Sequence, residues 1–136
     1  MKINYWILLV LLASPFAFAD VVVIGHPAGP DSLDANQIRD LFIGRSNQLP
    51  NGQAAVPLDL EAGNPLREEF HTKVTGRSQA QLNAFWSQQV FTGKGHPPRT
   101  LDSTAAMKAT VSATAGAVGY ISASEVDNSV KVLLTP

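Results

Sequence analysis

Cysteine is absent from the 136 residues. That absence excludes disulfides, thiolate metal sites and cysteine nucleophiles together. Charge is sparse as well: Asp, Glu, Lys and Arg make up 15% of the chain, and the net charge is −1. Domains that bind nucleic acid usually carry a basic face, so this balance argues against such a partner. Beyond residue 19 no apolar run approaches the roughly 20 residues that a membrane span requires. Ser32, Ser87 and Ser103 lack a G-x-S-x-G context. Glu68 and Glu69 are adjacent, so on a helix they point about 100° apart and cannot act as a dyad. His26, His71 and His96 lack the close spacing of a metal-binding helix or loop. The expectation is a non-enzyme with no metal and no cofactor, its histidines solvated.

What is present begins with a targeting signal. Lys2 is followed by the apolar run Ile7 to Leu12, and Ala17-Phe18-Ala19 places small residues where a signal peptidase reads. Ser14 and Pro15 interrupt the stretch, which favours a cleaved signal over a membrane anchor. Residues 1–19 are therefore read as signal peptide and residues 20–136 as one domain, large enough for a single core. Without Lys2 that domain has nine Lys+Arg against eleven Asp+Glu, a net charge of −2. An exported domain without disulfides must be held by its core, which fits the periplasm.

Val21–Ile24 and Ala55–Leu60 are apolar runs of the kind buried on both faces of a sheet. Asp34 and Gln37 form a capping box before a helix that Gly44 ends, and Ser78 and Gln81 form another. Asn64-Pro65 opens a helix with proline at its best-tolerated position, and Leu66, Phe70 and Val74 share its buried stripe. A further helix is predicted from Asp102 or Ser103 to Thr114, and strands over Val118–Ile121 and Val130–Leu134. The spacing of Phe85 and Trp86 predicts that they pack in the core. Gly116 and Gly119 are expected to serve close packing. Strands alternating with helices imply an α/β sheet covered on both faces.

Three segments carry a resemblance to a known family. Leu33 to Gly44 reads L-D-A-N-Q-I-R-D-L-F-I-G, Phe85 to Arg99 reads F-W-S-Q-Q-V-F-T-G-K-G-H-P-P-R, and Gly116 to Ser122 reads G-A-V-G-Y-I-S. In order and spacing they resemble one lobe of the periplasmic phosphate-binding proteins, the substrate-binding components of ABC phosphate transporters. The resemblance runs from Val21 to Leu134. It implies one lobe of a type 2 periplasmic binding protein: a mixed, mostly parallel sheet with helices on both faces.

The family's phosphate sits on a helix that starts S-G-T-R-x-x-F. Here those positions read Asn64-Pro65-Leu66-Arg67-Glu68-Glu69-Phe70. Pro65 removes a backbone N–H donor, Leu66 removes a hydroxyl, and the family's preceding arginine falls at Leu60. Asp59 and Glu61 flank that position as carboxylates that would repel an anion, and Glu61 could itself occupy the old anion site. The ligand-site candidates implied by the resemblance are Asn64, Arg67, Glu61, Asp59, His26, Gly29 and Tyr120, with the Tyr120 hydroxyl at the sheet edge. Lys94, His96 and Arg99 form a basic loop suited to docking. Two functions stay open. One is binding of phosphate or another small anion. The other is an envelope interaction module on the same lobe, meeting another protein or a second copy in place of the other lobe.

Overall fold

The structure, a computed structural model, describes residues 20–136; the signal-peptide assignment lies outside them. Five strands form one sheet in the order β3-β2-β4-β1-β5: β1 (Val21–Gly25), β2 (Val56–Leu60), β3 (Arg99–Leu101), β4 (Ala117–Ser122) and β5 (Lys131–Leu134). β2 runs parallel to both β3 and β4, whereas β1 is antiparallel to β4 and β5. Four strands therefore share one direction and β1 opposes them, the mixed sheet expected, with two parallel and two antiparallel pairings.

Four helices pack around it: α1 (Ala35–Phe42), α2 (Pro65–Phe70), α3 (Gln79–Phe91) and α4 (Thr104–Ala113). Their starts follow the sequence signals. Asp34 and Gln37 make a complete capping box, as do Ser78 and Gln81, and Asn64 accepts from Leu66 N at 3.0 Å. α2 continues into a π-helical turn, His71–Thr75, in which Gly76 N donates to His71 O at 2.7 Å. Gly76 then stops the helix with φ +67°.

Neighbouring β4 residues point to opposite faces of the sheet, which locates the layers. On one face, the space beside Gly119 is filled by Met107 and Val111 of α4. On the other, the Tyr120 ring stacks on Phe70 of α2 at 4.1 Å, and Phe70 meets Phe42 of α1 at 4.7 Å. The resulting core joins Val21–Ile24, Ile38, Phe42, Leu58, Leu60, Phe70, Met107, Val111, Tyr120 and Ile121.

Two expectations need correction. β3 was not anticipated, because three residues after a Pro-Pro pair present no periodicity to read. Phe85 and Trp86 do not enter the core: they are half-buried, and Leu82 is the one buried residue of α3. Trp86 rests its ring edge near Gly44.

Gly116 offers a direct test of the packing. Its φ is +81°, and a Cβ there would collide with the Ala54 carbonyl. Gly63 has φ +91° and open space around it. Gly63→Ala should cost about 1–2 kcal/mol from backbone strain alone. Gly116→Ala adds the collision and should cost at least about 3 kcal/mol in urea unfolding. Equal losses would contradict the close approach.

Candidate functional site

Asp59 lies one residue from the carboxyl end of β2, on the face where Tyr120 points. Its Oδ1 accepts from the Tyr120 hydroxyl and from Leu60 N, the latter at 2.9 Å. Its Oδ2 accepts from His71 Nε2 at 2.9 Å and faces Arg67 Nη1 at 3.3 Å. A carboxylate has about four acceptor sites; three are taken by these hydrogen bonds, and the Arg67 guanidinium pairs the charge. Asp59 and His71 are both 4% exposed. The π-helical turn brings His71 to this position, and Thr75 Oγ1, which donates to His71 O, lies 2.9 Å from His71 Nδ1. Tyr120 also accepts from Leu60 N at 3.0 Å. Burial first, then the Asp59 charge and its hydrogen bond, push the phenol well above its ordinary range.

This network corrects four sequence expectations. Asp59 is a paired structural carboxylate and does not stand free to repel an anion. His71 is buried, since both ring nitrogens find partners inside the fold, in Asp59 and Thr75. The Tyr120 hydroxyl is buried under Asp59 and does not reach the edge. Glu61 does not occupy the old anion position: its side chain makes no hydrogen bond among the described residues, and Asn64 caps α2 instead.

The Arg67 guanidinium is largely committed. Nη1 donates to Leu60 O at 2.6 Å and Nε to Gln79 Oε1 at 3.0 Å. The side chain is 12% exposed, and Nη2 makes no hydrogen bond among the described residues. Arg67 and Asp59 form the floor of an open groove of about 1130 Å³. One wall is α3, through Leu82, Asn83, Trp86, Ser87, Val90 and Phe91; the other is Pro97 to Thr100, with Glu61 at the rim.

The expected site residues divide among separate places. Arg67, Glu61, Asp59 and Arg99 meet at the groove. Asn64 lines a different depression of about 650 Å³ with Glu68, Glu69 and Lys73. His26 and Gly29 follow β1, whose antiparallel course puts Gly25 level with Val118, at the far end of the sheet from Leu60. There His26 Nδ1 accepts from Ala28 N, and Gly29 O accepts from Lys131. Lys94 and His96 are exposed on the loop after α3 and do not line the groove. The groove wall on α3 does not emerge from the sequence because the helical spacing of Trp86 favours core packing over an aromatic binding face. The signal available was composition: the thirteen residues of α3 include no charged side chain.

No protein-family model matches the sequence, and no curated protein matches it. Solved structures do match in fold. An ABC-type phosphate transport receptor from Vibrio cholerae superposes with a TM-score of 0.68 at 22% identity, over 84% of this chain and 45% of the receptor. A protein described as a phosphate ABC transporter substrate-binding protein from Clostridium perfringens, solved with bound phosphate, gives 0.66 at 24% identity, over 84% and 44%. The fold is thus that of one lobe of a type 2 periplasmic binding protein. The chain spans less than half the length of either receptor. Among the described residues no helix is long and apolar enough to cross a membrane.

Two measurements test the network. Asp59→Ala strands the buried Arg67 guanidinium and leaves the buried His71 Nε2 without its partner, and should cost about 3–5 kcal/mol; Tyr120→Phe removes the hydroxyl's bonds to Asp59 and Leu60 N, the latter donor keeping Asp59 Oδ1, and should cost about 1–3 kcal/mol. Equal effects would contradict the central position of Asp59. Tyr120 is also the single tyrosine of residues 20–136. A phenol held neutral in the fold contributes stability that is complete below its unfolded value, about pH 10, and declines as pH rises above it. Ultraviolet titration of that fragment should show ionisation only together with loss of the circular dichroism signal. Phenolate appearing while the fold persists would contradict the burial.

Proposed function

We propose that this protein is a binding module of the solute-receptor type, and that its ligand lies in the groove between α3, the carboxyl end of β2 and the start of β3. The observation that carries this reading is the placement of Arg67 and Arg99 across from the apolar wall of Trp86, Val90 and Phe91. Ligands of open α/β sheets bind outside the carboxyl ends of the strands. Sites for small molecules are mostly apolar, with a few polar groups that fix orientation.

That combination suits an organic anion, with its carboxylate or phosphate toward the arginines and its apolar part on Trp86. Inorganic phosphate fits less well. An oxyanion needs converging charge-assisted donors, whereas Arg67 is already held by Asp59, Leu60 and Gln79 and Glu61 lines the same groove. At the old anion position Pro65 has no N–H to offer, and the Asn64 oxygen accepts from Leu66. The protein-docking reading rests on a separate observation, the exposed apolar face of α3.

Calorimetry and thermal shift with phenyl phosphate and inorganic phosphate test the proposal. A ligand at 100 times its dissociation constant should add about 2.7 kcal/mol of stability. Phenyl phosphate should stabilise the protein at lower concentration than inorganic phosphate, and Arg99→Ala should weaken its binding about tenfold or more. No binding of either probe at millimolar concentration would overturn the anion reading.

A further inference from the structure

β3 is an edge strand of the sheet, and Arg99 and Thr100 of that strand belong to the groove wall opposite α3. Its pairing with β2 shows which backbone groups stay free there. Leu101 O accepts from Glu61 N at 3.2 Å, and the parallel register sets Thr100 beside Asp59. In a parallel ladder, alternate residues of a strand bond to a given neighbour. Arg99 and Leu101 therefore bond to β2, and the N–H and C=O of Thr100 point the other way, to the open edge. Neither group makes another hydrogen bond among the described residues, and Thr100 is exposed. At the opposite edge the chain covers itself in part, since Leu33 N donates to Leu133 O at 3.1 Å.

A free donor and acceptor on a strand edge select the occupant. A helix bonds its own backbone groups internally and would leave Thr100 unpaired. An extended peptide offers both partners and adds to the edge as a further strand. Pro97 and Pro98 have no N–H to donate, so pairing is confined to Thr100 and its immediate neighbours. The three residues of β3 span about 10 Å, which matches about three extended residues. Side chains of such a strand alternate between its faces. One can meet Trp86 and Val90 while an acidic group reaches the arginines of the same groove.

We infer that the ligand of the groove is a short extended peptide bearing an acidic group, bound by strand addition at Thr100. The inference rests on the groove being the binding surface and narrows its organic anion to a peptide. Strand addition uses backbone groups on both sides, which neither a small organic anion nor a helix would do.

Calorimetry of the unmodified protein with N-acetyl-alanyl-phenylalanyl-alanine tests the inference. Three analogues, each N-methylated at one amide, keep the charge and the aromatic ring and lose one N–H. Alternate amides of an added strand face β3 and the others face away. Either the central analogue alone or both outer ones should bind about tenfold or more weakly, and the rest should match the parent peptide. Thr100→Pro makes the corresponding deletion in the protein. An edge strand tolerates proline where its N–H faces outward, so the circular dichroism spectrum should persist while peptide affinity falls about tenfold or more. No peptide binding at millimolar concentration, a uniform response to all three methylations, or full affinity in folded Thr100→Pro overturns strand addition. Phenyl phosphate is titrated separately against the unmodified protein. If it binds and the peptide does not, the anion reading stands and the peptide falls. If only the peptide binds, with the alternating pattern, the reverse holds.

Discussion

A single buried carboxylate joins the parts of this fold that meet at the groove. Asp59 receives Tyr120 from β4, His71 from the π-helical turn and Leu60 N from its own strand, and it faces Arg67 of α2. Burying a carboxylate costs several kcal/mol unless it is paired and fully hydrogen-bonded. Here three hydrogen bonds and the Arg67 ion pair offset that cost, so Asp59 fixes where α2 lies against the sheet. The aromatic stack of Phe42, Phe70 and Tyr120 runs directly into this network. Apolar packing and charge pairing therefore select one and the same arrangement.

The network also shapes what the surface can do. By holding Arg67 on Asp59 and Leu60 O, the fold converts a potential anion-binding cation into a largely structural one that still lines the groove. Pro65 and Leu66 remove donors from the start of α2, and the proposed function therefore places binding at the groove beside α3. There the donors are few and the wall is apolar, which favours ligands or partners with an apolar body over a bare dianion. The solved receptors that share the fold are about twice as long as this chain, so their phosphate chemistry cannot be carried across on fold alone.

Much of the scaffold was legible in the sequence, because it rests on local signals. The capping boxes at Asp34 and Ser78, the Asn64-Pro65 start and the positive-φ glycines at positions 44 and 76 each act within a few residues. The resemblance of Leu33–Gly44 and Gly116–Ser122 to the receptor family located the fold correctly. What escaped was tertiary. Asp59 and Tyr120 are 61 residues apart, and no local pattern announces their pairing. The π-helical turn that carries His71 into the interior has no periodic signature. The antiparallel course of β1 separates His26 and Gly29 from Arg67, although the resemblance grouped them at one site. Trp86 was misread because core and interface stripes have the same helical spacing; exposure alone distinguishes them.

The central claim is that the groove, and not the old anion position at Asn64, is the binding surface. Trp86 is the single tryptophan of residues 20–136 and lines that groove. Its fluorescence, titrated with phenyl phosphate, is the most direct test. The account predicts a saturable change whose midpoint matches calorimetry and is lost in Arg99→Ala. Calorimetric binding with unchanged Trp86 emission, abolished instead by Asn64→Ala, would contradict it.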